Sequence, residues 1–109
     1  MSTVDEQLER VRQLYPQAGK LMDGAKAVVL IPDAVFPVND NDEVMDLLLY
    51  PYSDRGYPTR VFYRRQLPKG QNWTQHVICQ ESWWAPSYND VRPDLPWDKI
   101  LARHLRAVA

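Results

Sequence analysis

The stretch Ala27–Ile31 (AVVLI) is the longest unbroken apolar run of the chain, and Pro32 closes it. Five mostly β-branched residues between the turn signal Asp23-Gly24 and a proline are typical of a buried strand. The run is much shorter than the roughly 18 apolar residues that span a bilayer. It therefore predicts a core strand and no membrane span.

Three more segments predict strands on the C-terminal side of this one. Asn39–Asp42 is a polar turn, and it leads into Glu43–Tyr50, which we expect to pair with the first strand as a hairpin. Arg60–Arg64 alternates, with Val61 and Tyr63 opposite Phe62, and Trp73–Cys79 is a fourth strand or an extended segment. Because the gaps are too short for parallel crossovers, the pattern predicts an antiparallel four-stranded meander.

Amphipathic helices are predicted at both ends of the chain. Thr3 followed three residues later by Glu6 is a capping-box signature, and Pro16 ends the helix that it starts. Asp94 is placed to cap the last helix, with Pro96 tolerated in its first turn. The apolar stripe of the first helix comprises Val4, Leu8, Val11, Leu14 and Tyr15. The stripe of the last helix comprises Trp97, Ile100, Leu101, His104, Leu105 and Val108.

Between the last strand and the last helix, Glu81–Pro96 mixes aromatic residues and prolines with neither period. We predict a long ordered loop there, of the kind that is usually functional. The predicted fold class is α+β: an N-terminal helix, the four-stranded meander, the aromatic loop and a C-terminal helix, as a single domain over residues 1–109.

Composition narrows the class of protein. The chain has 109 residues, 45% of them hydrophobic, and a formal net charge of −1. This charge predicts neither a nucleic-acid partner nor a membrane partner. The acidic N-terminus differs from a secretion signal, so we expect a cytoplasmic protein. One cysteine excludes an internal disulfide, and two histidines without a cysteine cluster give no recognisable zinc or other metal site.

Cys79 is the main candidate for a catalytic residue. It ends an apolar segment and enters the irregular loop, so it is either a core residue or an accessible thiol nucleophile. His76 lies three residues earlier, and in an extended segment this spacing puts the two side chains on opposite faces. No Ser-His-Asp order, phosphate-binding glycine loop or paired-carboxylate signature accompanies them.

A series of short motifs changes the interpretation of Cys79. Leu47–Pro51, Tyr57-Pro58, Val61-Phe62, Val77–Cys79 and Trp84–Pro86 follow one another in the chain and lead into the terminal amphipathic helix. Their order is similar to that of the ubiquitin-conjugating enzyme family, and the short chain resembles the compact prokaryotic relatives. The resemblance covers most of the chain and implies the UBC-like fold.

The resemblance implies a thioester mechanism. Cys79 would accept a ubiquitin-like modifier from an activating enzyme and pass it to a lysine of a target protein, without a cofactor. The family's His-Pro-Asn motif is absent here, so Asn72 or His76 is the candidate hydrogen-bond donor to the oxyanion.

The remaining site residues also come from the resemblance. Trp83, Trp84 and Tyr88 would wall the cleft and exclude water, and Glu81 or Asp90 would orient the attacking lysine. The outer side of the first helix would bind the activating enzyme through Glu6, Glu9, Arg10, Arg12 and Gln13.

Two other interpretations remain open. The first is a non-catalytic UBC-fold module that binds ubiquitin-like proteins, with Cys79 buried. An unrelated small α+β interaction domain, whose aromatic loop holds a peptide or a small ligand, is the third.

Overall fold

The computed structural model describes residues 3–109, which form two helices and six strands. The predicted α+β class is confirmed, but the described sheet has six strands where the sequence predicted four. In chain order the elements are α1 (Val4–Leu14), β1 (Gly19–Asp23), β2 (Lys26–Val38), β3 (Asn41–Tyr50), β4 (Arg60–Tyr63), β5 (Thr74–Ile78), β6 (Glu81–Ala85) and α2 (Trp97–Val108).

All strand pairs are antiparallel, and the strand order is β1-β2-β3-β4-β6-β5. The strands β1 to β4 form a meander, and the hairpin β5–β6 joins it through β6. The two edges of the sheet are therefore β1 and β5.

The first strand is longer than predicted, and it has a partner that the sequence pattern did not reveal. β2 continues through Pro32 to Val38 because a bulge between Ile31 and Ala34 absorbs the missing proline N–H. Within the bulge, the backbone N–H of Asp33 donates to Asp46 Oδ1 at 3.0 Å. β1 precedes β2 in a hairpin; its mixed sequence, GKLMD, has no clear alternation.

The first part of the predicted loop is also strand. Glu81–Ala85 forms β6, which lies between β4 and β5, so the prediction of a loop over Glu81–Pro96 is wrong for these five residues. Alternation is hard to see there because Trp83 and Trp84, on opposite faces, are both large and apolar. The remaining residues up to Pro96 connect β6 to α2.

Both helices pack on one face of the sheet, and together they cover the larger core. The predicted capping box is confirmed: Thr3 Oγ1 accepts from the Glu6 N–H at 3.1 Å, and the Glu6 carboxylate accepts from the Thr3 N–H. α2 begins with Pro96 at the N-cap position, and Asp94, the predicted cap, pairs with Arg92 instead. Among residues 3–109, neither helix has the length and hydropathy that crossing a membrane requires.

The opposite face of the sheet carries a second, smaller core with no helix over it. It consists of Val28, Leu48, Tyr50, Phe62, Trp83 and Ala85. As predicted, Phe62 lies in this cluster while Val61 and Tyr63 lie in the helix-covered core. We refer to the two sides as the covered face and the uncovered face. Cys79 lies at the end of the sheet, beside the uncovered face.

Candidate functional site

Cys79 lies at the tip of the β5–β6 hairpin. The turn has two central residues, Cys79 with φ 51° and Gln80 with φ 67°, as a type I′ turn requires. Asn-Gly is the favoured pair in such turns because asparagine and glycine tolerate positive φ, and Cys-Gln is not. Turn propensity therefore does not explain the cysteine at this position.

The thiol contacts the other edge of the sheet. Cys79 Sγ donates to the backbone oxygen of Met22, in β1, at 3.3 Å. The pair Asp23–Lys26 flanks a two-residue turn, so the preceding pair, Met22–Ala27, directs its backbone groups away from β2. The carbonyl of Met22 is thus an outward-facing edge group, and the Cys79 thiol satisfies it.

The surroundings of Cys79 favour the neutral thiol. Partial burial raises the pKa of Cys79 above its ordinary value, and the nearby carboxylate of Asp23 raises it further. A raised pKa means less thiolate at neutral pH, and the thiolate is the nucleophilic form. Cys79 itself is neither sealed in the core nor fully exposed.

His76 shares the hairpin with Cys79, but its ring nitrogens are engaged elsewhere. Arg55 Nη1 donates to Nδ1 at 3.0 Å, and Nε2 lies 2.7 Å from Thr74 Oγ1. Because arginine only donates, Nδ1 must be the acceptor and Nε2 must carry the proton. Burial, followed by the charges of Arg60 and Arg55, lowers the pKa of His76, which agrees with this neutral form.

Asn72 and Cys79 lie beyond opposite ends of β5. Five residues in a strand span roughly 13 Å, so the length of β5 lies between the backbones of the two residues. Asn72 has φ 54° in the exposed turn that precedes the strand. The structure therefore separates the two groups that the resemblance placed in one catalytic site.

Two predicted residues of β6 contact an arginine instead of the thiol. Trp83 faces the uncovered side, is 1% exposed, and lies under the Arg64 guanidinium, 4.0 Å from the ring centroid. Glu81 Oε2 accepts from Arg64 Nη1 at 3.2 Å. Trp84 is adjacent in the strand and points to the opposite face.

Tyr88 and Asp90 lie in the connection to α2. The Tyr88 ring meets His104 of α2 edge to face, with 5.4 Å between centroids. Asp90 is exposed. Of the predicted site residues, the β5–β6 hairpin thus holds Cys79, His76, Glu81, Trp83 and Trp84, whereas Asn72, Tyr88 and Asp90 lie outside it.

The polar side chains predicted to dock an activating enzyme mostly contact their own chain. Arg10 pairs with Asp98 of α2 at 2.8 Å, and Arg12 donates to the carbonyl of Ala18 at 2.9 Å. The other three form local contacts: Glu6 caps the helix and Gln13 donates to Glu9 at 3.2 Å. The outer side of α1 is exposed, but much of its charge is internally paired.

Sequence reasoning missed the roles of two arginines, Arg60 in β4 and Arg64 directly after it. Arg60 is 3% exposed, stacks on Tyr57 with 4.2 Å to the ring centroid, and pairs with Asp54 at 3.5 Å. With Arg64 it brackets Phe62 on the uncovered face. Side chains two residues apart in a strand lie on the same face, so Arg60 and Arg64 share a face with Phe62 between them. This spacing is the sequence signal that identifies the stack.

A small polar cavity of about 110 Å³ adjoins His76 and Asp23. Residues 3–109 contain no cluster of three or more His, Cys, Asp or Glu side chains that would hold a metal. No family model, curated protein or solved structure matches the chain.

Proposed function

We propose that this chain is a non-catalytic binding module of the ubiquitin-conjugating type, which binds a ubiquitin-like protein and uses Cys79 to hold the sheet together. The contact that carries the proposal is the hydrogen bond from Cys79 Sγ to Met22 O. In this arrangement the thiol proton is directed at a backbone acceptor and not at a general base.

The electrostatics support the same role. A transfer enzyme requires a thiolate, a donor for the oxyanion and a group that accepts the proton of the lysine. Here the Cys79 pKa is raised, His76 is occupied by Arg55 and Thr74, and Asn72 is beyond the far end of β5. The thiol is therefore biased toward its neutral form, and neither candidate for the oxyanion donor is free beside it.

The ligand class comes from the resemblance. An antiparallel sheet between an N-terminal and a C-terminal helix is compatible with the resemblance, and the resemblance supplies a ubiquitin-like protein as the proposed partner. A protein partner also agrees with a charge close to neutral, which favours neither nucleic acid nor a membrane surface.

A second candidate is transfer of the modifier through a thioester on Cys79. The cysteine at the turn favours this candidate. Cysteine is not a preferred residue at positive φ, and Cys79 is not fully buried, so neither turn formation nor core packing accounts for it. In that reaction the Cys79 thiolate forms a new C–S bond to the donor carbonyl carbon, and the donor sulfur leaves as a thiolate as the old C–S bond breaks.

One experiment separates the two candidates. The chain is incubated with ubiquitin that carries a mercaptoethanesulfonate thioester, and glutathione is the reference thiol. We expect Cys79 to acquire the modifier no faster than glutathione does. A faster, reductant-sensitive adduct that Cys79→Ala abolishes would establish transfer and overturn the non-catalytic role.

Binding is measured separately. Titration of the isotope-labelled chain with unmodified ubiquitin should shift amide resonances on one contiguous surface, in the wild type and in Cys79→Ser alike. Unchanged spectra at millimolar ubiquitin would remove the proposed partner class.

A further inference from the structure

A groove of about 690 Å³ lies on the covered side of the molecule, away from Cys79. The C-terminal half of α2 forms one wall, and the loops before β5 and after β6 form the other. This volume is in the range of small-molecule sites, which are usually about 300–1,000 Å³. Its lining includes Tyr63, Gln71, Ser87, Tyr88, Arg103 and Arg106.

The charge of the groove is one-sided. Arg103 and Arg106 are exposed on its α2 wall, and neither forms an ion pair within residues 3–109. No acidic side chain lines the groove. Arg106 is in the last turn of the helix, where a cation is favourable in any case, but Arg103 is not. The groove is therefore a place where an anion meets two guanidinium groups without competition.

Two buried polar groups beside the groove lack partners. Tyr63 lines it, is 1% exposed, and has a hydroxyl with no hydrogen-bond partner among the described residues. Trp73 packs edge to face on Tyr63, with 5.5 Å between centroids, and its Nε1 is likewise unpartnered. Buried polar groups are normally paired because an unpaired one costs free energy. Of the two donors, Tyr63 lines the groove, so a ligand with an acceptor atom would complement its hydroxyl.

The imidazole in the groove is neutral. Thr59 Oγ1 gives its only proton to the carbonyl of Val91 at 2.9 Å, so His104 Nε2, 2.9 Å from the same oxygen, must be the donor. Burial and the charge of Arg60 lower the pKa of His104 to about 4. The positive charge of the groove therefore comes from Arg103 and Arg106.

We propose that this groove binds an organic anion with an apolar body: a carboxylate, sulfonate or phosphate ester head held by Arg103 and Arg106. The body packs against the ring of Tyr88 and against Pro86, and an acceptor atom meets the donor of Tyr63. This site is independent of the partner proposed above, since none of its lining residues belongs to the β5–β6 hairpin.

The test uses 8-anilinonaphthalene-1-sulfonate, which combines an anionic head with an aromatic body. We expect one equivalent to bind the native chain with a rise in fluorescence. Arg103→Gln with Arg106→Gln should weaken binding about tenfold, which is the usual loss for a charge-assisted contact. Lys99→Gln changes an exposed cation of the same helix that does not line the groove, and it should leave binding unchanged.

A second variant probes the buried hydroxyl. Tyr63→Phe should weaken binding about fivefold while the thermal midpoint of the free chain stays the same or rises, because an unpaired polar atom is removed. Inorganic sulfate should compete only weakly, since it lacks the body. Absence of binding, equal losses in the Lys99→Gln control and the arginine double variant, or unaltered binding in that double variant would overturn the proposal.

Discussion

The two faces of the sheet are buried by different means. On the covered face, α1 and α2 lay aliphatic side chains such as Val11, Ile100 and Leu101 over the strands. On the uncovered face, Trp83 and Phe62 are equally inaccessible without any helix above them. There the cover combines arginine side chains, the His76 ring on Phe62, partly buried apolar side chains such as Leu21 and Ile78, and the contact between the two sheet edges at Cys79.

The comparison separates two ways of excluding water. Aliphatic packing depends on shape, is insensitive to salt, and is costly to interrupt. An arginine that covers an aromatic ring contributes through its methylene stem and through its charge, and the charge part is weakened by salt. The two faces should therefore respond differently to truncation, acid and ionic strength.

The largest effect is expected from truncation on the covered face. Leu101→Ala should lower the free energy of unfolding by about 2–5 kcal/mol, because the residue is fully buried and its loss leaves a cavity. Val44→Ala, on the other side of the sheet and 57% exposed, should change it by less than about 0.5 kcal/mol. Urea unfolding of both variants makes the comparison, and equal losses would contradict it.

The second-largest effect should come from acid, which lowers the free energy of unfolding through His104 on the covered face. The pKa of His104 is lowered from its ordinary value to about 4, so the folded state favours the neutral ring. Stability is then complete above the unfolded pKa of about 6.5 and falls as the pH decreases toward 4, by about 3 kcal/mol in all. Unfolding measured across this range tests the sign. His104→Gln should remove most of the slope, and a variant as steep as the wild type would exclude His104 as its source.

The uncovered face should respond to salt. Arg64 covers Trp83 and pairs with Asp46 at 3.5 Å and Glu81 at 3.2 Å. Arg64→Ala should cost about 1–2 kcal/mol, whereas Arg64→Met retains the apolar cover and should cost about half as much. High salt should lower the free energy of unfolding of the wild type, because it screens the charge of Arg64. The stability of Arg64→Met should not show this decrease. Identical salt dependence of the two proteins would mean that charge contributes nothing there.

The smallest effect concerns the hairpin that closes the uncovered face. Gln80→Gly should stabilise the chain by about 0.5–1 kcal/mol, because glycine adopts positive φ without strain. Asp40→Gly in the β2–β3 turn, which also has positive φ, is the matched control and should give a similar gain. Thermal unfolding measures both, and a loss of stability in Gln80→Gly alone would indicate that Gln80 has another role.

Local signals in the sequence predicted local structure well. The capping box at Thr3 and Glu6, the helix end before Pro16 and the face alternation around Phe62 all follow from neighbouring residues, and all are confirmed. The second helix is also present, but its N-cap is Pro96: Asp94 lies two residues before that position and pairs with Arg92.

The signals that failed are those that depend on distant strands. β1 and β6 become strands because β2, β4 and β5 supply their hydrogen bonds, and neither GKLMD nor ESWWA alternates clearly by itself. The contact that Cys79 makes was missed for the same reason. Cys79 and Met22 lie 57 residues apart, so no local sequence pattern predicts the hydrogen bond from the thiol to a carbonyl of the other edge strand.

The pairing of the two helices has a consequence during synthesis. Arg10 of α1 binds Asp98 of α2, 88 positions later, and Gln7 accepts from the backbone N–H of Trp97. At roughly 5–20 residues per second, the ribosome adds α2 about 4–18 s after α1. Throughout that interval the side of α1 that contacts α2 lacks its partner, so a chaperone has that long to compete for it.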